Sequence, residues 1–102
     1  MQEELFDFVE KVLEEHFEVT KEQMFSERGK NFRHYARIRF TLFYILHCEY
    51  GVSTIKIHRH YDIKLWSVFY ACRKIREFLE YNKAIREDYA LIKEELKEKG
   101  GL

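Results

Sequence analysis

The chain has 102 residues, 46% of them hydrophobic and 17% aromatic, and its 18 basic side chains balance 18 acidic ones. That size suits one domain with a real core, and the composition excludes a disordered tail. The longest apolar run, Phe40 to Leu46, has seven residues, far short of the roughly 18 that would cross a membrane.

The balance of charge conceals a segregation. Residues 1–27 hold nine acidic and two basic side chains, residues 28–76 two acidic and eleven basic, and residues 77–102 seven acidic and five basic. The middle block therefore carries +9 and the first −7. A field of that kind points to a polyanionic partner. Interleaving of the acidic ends with the basic middle as surface ion pairs is the plainer alternative.

No proline interrupts the chain, so long helices punctuated by Gly29 and Gly51 are expected. Leu5, Phe8, Val9, Val12, Leu13 and Phe17 recur at spacings of three and four, predicting a helix over about 2–16. Thr20 followed by Gln23 reads as a capping box for a short second helix. "SERGKN" is a basic turn. Residues 31–50 predict a long central helix, apolar nearly all round at 40–46, stopped by Gly51 in the left-handed position of a helix C-terminus. Ser53 is placed to cap a helix over 54–60, and Asp62 to cap the next. That next helix shows Leu65, Val68, Phe69, Cys72, Ile75 and Leu79 at helical spacing. Asn82 opens the last helix, with Ile85, Tyr89, Ile92 and Leu96 inward, and only the final "KEKGGL" reads as loose.

The expected architecture is all-α: one compact domain over 1–102, of about six helices, with Phe40, Leu42, Phe43, Ile45, Val68, Phe69, Cys72 and Ile75 mostly buried. Cys48 and Cys72 have no paired spacing and read as core thiols in a reducing compartment, and no leader opens the chain, so the cytoplasm is the expected location.

A short helix, a tight turn and a longer amphipathic helix within the basic block form the layout of a helix-turn-helix. The residues of that unit, "GVSTIKIHRHYDIKLWSVFYACRKIREFL", resemble the C-terminal DNA-binding domain of the bacterial replication initiator DnaA. Gly51, Ser53, Ile57, Tyr61 (for phenylalanine), Val68 and the run Ala71–Ile75 carry the match. Upstream, Arg39 with "FTLFYIL", and "VTKEQMFS" before the basic turn, extend it over nearly the whole chain. The resemblance implies the family's helical fold with its embedded helix-turn-helix (Trp-repressor-like), a recognition helix for the major groove and a basic loop for the minor groove of double-stranded DNA. It covers the DNA-binding module alone, without the family's ATPase.

Arg28, Lys30 and Arg33 fall in and beside the basic loop. Lys56, Arg59 and His60 on the first helix of the unit suit phosphate, as does Ser53 at its start. The family's "GGRDHTTV" becomes "DIKLWSV", one residue shorter, placing Lys64, Leu65, Trp66 and Ser67 where the family reads base edges. Lysine donates to guanine O6/N7 and serine contacts bases or phosphate, whereas leucine and tryptophan offer apolar or stacking contacts. His47 replaces a basic family position at the end of the long helix, Tyr70 replaces a histidine, and Lys74 is kept. Trp66 reads first as core, next as a protein-contact anchor and last as a base-stacking wedge.

His58 and His60, two apart, do not share a helix face, so no metal site is expected. No phosphate loop, catalytic carboxylate pair or nucleophile constellation is legible. Neither enzymatic activity, a cofactor, a small-molecule substrate nor a membrane is expected. The expected role is DNA binding, in replication control or regulation. A protein-interaction module on a helix-turn-helix scaffold is the alternative.

Overall fold

The computed structural model describes residues 2–101, Gln2 by its backbone. Six α-helices follow one another: α1 (Gln2–Phe17), α2 (Lys21–Met24), α3 (Phe32–Tyr44), α4 (Thr54–Tyr61), α5 (Leu65–Tyr81) and α6 (Lys83–Glu98). A π-helical turn, Ile45–Glu49, prolongs α3. Among the described residues there is no strand.

Local chemistry sets most of the boundaries. Thr20 and Gln23 close a reciprocal capping box at α2, the Gln23 amide donating to Thr20 Oγ1 at 3.1 Å and the Thr20 amide to Gln23 Oε1 at 2.9 Å. Ser53 accepts from the Lys56 amide at the head of α4, and Asn82 from the Ile85 amide at the head of α6. Gly51 adopts φ +70°, ending the long central helix in the conformation that costs a residue with a Cβ most. Asp62 departs from its expected role. It ends α4 with φ +53°, and Lys64 stands at the N-cap of α5, giving no side-chain hydrogen bond there.

The core follows from the periodicities. α3 runs through the middle, packing most extensively on α5 and also on α1 and α2. Ile38, Leu42, Phe43, Ile45, Leu46, Val68, Ala71, Cys72 and Ile75 are buried at that junction. Phe40 is only half-buried. Phe69 contradicts the expected core and is 55% exposed. The inward row of α5 advances by four, three and four from Val68 through Cys72, Ile75 and Leu79, and Phe69 lies about 100° away from it. Cys48, expected in the core, is exposed at the surface of the π-helical turn. Burial pushes the Cys72 thiol up to about 11, and desolvation raises the Cys48 thiol despite the neighbouring Arg76. The tail is ordered as far as Gly101. The Gly101 amide donates to Leu96 O and the Gly100 amide to Lys97 O, a Schellman closure of α6, and Gly101 seats against Phe8 and Tyr50. Leu102, in the segment read as loose, lies outside the described residues.

Two polar clusters tie the acidic helices to the rest. Glu10 is 4% exposed; it accepts a hydrogen bond from the Tyr61 hydroxyl and pairs with Lys21 Nζ at 3.3 Å, so α1, α2 and α4 meet at one buried carboxylate. A charge so buried is tolerated only because it is paired and hydrogen-bonded. His16 of α1 lies between Asp88 (2.7 Å) and Glu95 (2.5 Å) of α6.

Desolvation alone would depress the His16 imidazolium, but the hydrogen bonds to Asp88 and Glu95 outweigh it and the net shift is upward. A folded-state pKa above the unfolded one makes this contribution full below about pH 6.5, and it is lost as pH rises through the folded value. His16→Gln is therefore expected to destabilise the protein by about 1.5–3 kcal/mol near pH 6, the worth of hydrogen bonds to charged groups, and by clearly less at pH 9. Urea unfolding of both proteins at the two pH values measures this. An equal loss at both would mean that packing rather than charge holds the histidine.

Candidate nucleic-acid interface

The basic loop, residues 25–31, is placed by its neighbours. Arg39 of α3 donates from Nη1 to Met24 O (3.2 Å) and Ser26 O (3.5 Å), while its guanidinium lies 6.0 Å from the Phe25 ring and 5.6 Å from Phe40. Desolvation lowers the Arg39 pKa, with Glu27 opposing it. Ser26 accepts from the Arg28 amide and donates to Arg28 O, and Gly29 at φ +99° reverses the chain. Arg28, Lys30 and Arg33 then stand exposed around this turn.

The turn between α4 and α5 is equally fixed. His58 Nδ1 hydrogen-bonds to Ile63 O, and the Ile63 amide donates to His58 O. This histidine was not among the expected site residues. A histidine five residues before a carbonyl it bonds gives no periodic signal, so only the folded turn reveals the role. The left-handed Asp62 and the extended Lys64 redirect the chain into α5. Beside this turn lies a hollow of about 790 Å³, lined by Glu27, Arg39, Asp62, Lys64, Trp66, Ser67 and Tyr70 among others. Lys64, Trp66, Ser67 and Tyr70 are thus brought together with the base of the basic loop. Glu27 and Asp62 put two carboxylates into the same wall.

Other expected residues have structural occupations. His47 Nδ1 bonds to Val52 O at 2.8 Å, pinning the loop that joins the central helix to α4. Ser53 is spent on its cap. The His60 ring packs on Phe6 of α1, centroids 4.0 Å apart, with its edge on Tyr61. Lys56 and Arg59 are exposed on α4. Lys74 pairs loosely with Glu77 at 3.8 Å, one helical turn away, and lies 5.8 Å from the Phe78 ring. Among the described residues, no carboxylate lies within 4.0 Å of a charged nitrogen of Arg28, Lys30, Arg33, Lys56, Arg59 or Lys64. The interleaving of acidic ends with the basic middle therefore does not account for these six.

Trp66 is 62% exposed, which removes its core reading. It makes an edge contact with Tyr70, whose own edge faces Phe40. No protein-family model, curated protein or solved structure matches this chain.

Below Tyr70 two further hollows open. One is bounded by Trp66, Phe69, Tyr70 and Arg73, the other by the first half of α3 against Tyr70, Lys74 and Phe78. Phe32, Arg37, Phe69 and Arg73 belong to this surface without having been expected there. The row Trp66, Phe69, Tyr70, Arg73 has helical spacing, but Phe69 is also expected in the inward row of α5, and spacing alone does not say which side of an aromatic-rich first turn faces outward. No group of three or more histidine, cysteine or acidic residues among those described is arranged to hold a metal ion. No helix among them is long and apolar enough to cross a membrane.

Proposed function

We propose that this chain is a stand-alone duplex DNA-binding protein in which α4, the turn at Asp62–Lys64 and α5 work as a helix-turn-helix. The observation that carries the reading is the set of exposed cations, Arg28, Lys30, Arg33, Lys56, Arg59 and Lys64, with no carboxylate in ion-pair range among the described residues. They are spread over α4, the N-cap of α5, the basic loop and the first turn of α3, where phosphates would flank a groove.

In this reading the first turn of α5 enters the major groove. Its leading amides have no side-chain cap and favour phosphate oxygens. Lys64 and Ser67 meet base edges or backbone, and Trp66 and Tyr70 supply apolar contact with thymine methyls or sugars. The Arg28–Lys30 turn, pinned through Arg39, approaches the minor groove. Lys56 and Arg59 neutralise phosphates, while His47, His58 and Ser53 hold the scaffold. The role is binding rather than catalysis, and it fits control of replication or regulation in the cytoplasm, as the DnaA-like residues imply.

A second reading, a protein-interaction module, draws on the 62% exposure of Trp66 and 55% of Phe69. Selection from a random duplex library at two salt concentrations separates the two. An enriched motif, or sequence-independent retention that weakens steeply with salt, supports DNA binding. No retention at about 50 mM salt by folded protein removes it, because even non-specific binders gain strongly at low salt.

A further inference from the structure

The surface between α3 and α5 shares Arg33, Trp66 and Tyr70 with the proposed DNA contacts, but its makeup is one that duplex DNA complements only in part. One hollow there, of about 700 Å³, is lined by Phe32, Arg33, His34, Ala36, Arg37, Phe40, Tyr70, Lys74 and Phe78. It adjoins the smaller one at Trp66, Phe69, Tyr70 and Arg73 through their shared Tyr70. Neither lining contains an aspartate or glutamate, in contrast to the hollow at the α4–α5 turn with its Glu27 and Asp62. The floor is aromatic, and cations lie by the rings: Arg33 is 6.0 Å from Phe32, Lys74 5.8 Å from Phe78, and Arg73 5.5 Å from Tyr70. Phe32 is 44% exposed and Phe69 55%. Phosphate would satisfy the rim and leave those rings wet; a purely apolar partner would cover the rings and strand the cations.

We infer that the α3–α5 groove is a docking site for an acidic amphipathic helix of a partner protein, its apolar side chains on the rings and its carboxylates against Arg33, Arg37, Arg73 and Lys74. Helix-in-groove recognition needs an apolar trough between two helices, which α3 and α5 provide here; the anchors spaced at three and four belong to the partner helix. Charge complementarity sets the sign of the partner, since every charged group of the lining is a cation. A second copy of this chain is a poor occupant. Its acidic helix α1 has Phe6, Val9, Val12 and Leu13 buried in its own core, and the outer face of α6 balances Glu87, Glu94 and Glu98 against Lys83, Arg86 and Lys97 and offers Leu91 as its one exposed large apolar side chain.

The test uses the full chain and a synthetic fluorescent helix, with leucine and phenylalanine at one stripe and glutamate elsewhere. A scrambled peptide of the same composition and a version with lysine for glutamate are the controls. Saturable binding of the striped acidic peptide alone, with amide-shift changes confined to residues around Phe32, Arg37, Tyr70 and Phe78, is the expected result. Phe32→Ala and Arg37→Glu should each weaken it about thirtyfold, the size of a hot-spot loss. Neither residue belongs to the DNA contacts proposed above, so duplex binding by these variants reports separately on that reading. Equal binding of the scrambled or lysine peptide, shifts centred elsewhere, or no binding by folded protein overturns the proposal. So does light scattering that shows a dimer abolished by Phe32→Ala, which would make a second copy the occupant.

Discussion

Replacing both Arg28 and Lys30 by alanine is expected to weaken binding to every duplex and to lower the slope of log affinity against log salt by about 2. Each lost phosphate contact removes roughly one counterion from the exchange. Both side chains are exposed on a turn held from behind by Arg39 and Ser26, so their loss should leave folding intact. A minor-groove contact from this turn would add a reduced preference for A·T pairs. Lys64→Ala is expected to differ in kind. At the entrance to α5 it should cost about 1–3 kcal/mol on a preferred site and relax the choice of base there, with little change on random DNA. Titrations at several salt concentrations on a selected and a random duplex resolve the two behaviours. An unchanged salt slope in the double variant would show that the loop does not touch phosphate.

The second large effect is on stability and contrasts two aromatic residues. Phe43→Ala should cost about 3–5 kcal/mol. Phe43 is 1% exposed in the last turn of α3, against Phe25 of the basic loop and Tyr61 of α4. Against a typical total of about 5–15 kcal/mol, that loss brings the domain close to unfolding. Trp66→Ala removes the larger side chain and should change stability by no more than about 0.5 kcal/mol, as befits an exposed site. Its larger effect is expected on binding, of DNA or of a protein, as proposed above. Parallel urea titrations measure both. A Trp66→Ala loss comparable to that of Phe43→Ala would mean that the indole is packed in solution, and the exposed face would need redrawing.

The sequence was most informative where one local interaction decides the backbone. Thr20 with Gln23, Ser53, Asn82 and Gly51 each marked a boundary correctly, because a cap or a positive φ requires little from the rest of the molecule. The six helices followed from such marks and from apolar spacing. What was not legible depends on which neighbour arrives. Val68 and Phe69 are adjacent and both apolar, and only the approach of α3 makes one core and the other surface. Asp62 looked like a cap from its residue type, but the His58–Ile63 hydrogen bonds hold the turn so that it ends one helix instead of starting the next. Within the candidate site, composition pointed to the basic residues. That His47 bonds to Val52 O and His60 stacks on Phe6, while Lys64 and Trp66 stand exposed, is a property of tertiary contacts.

The π-helical turn at Ile45–Glu49 changes the phase of the chain. Its Tyr50 amide reaches back five residues to Ile45 O, and the next amide, of Gly51, returns to a four-residue span at His47 O. One residue is thereby absorbed without advancing the spiral, worth about 100° of rotation. Counting residues from Arg39 to Gly51 as if they formed one regular helix misassigns the directions of those beyond Tyr44. A related chain with an unbroken α-helix here would need one residue fewer before Gly51 to aim α4 and α5 the same way. Two such chains of equal length would carry the same pair of helices swung about the axis of α3. Superposing them on the residues before the turn would place their exposed aromatic rows on different sides of the molecule.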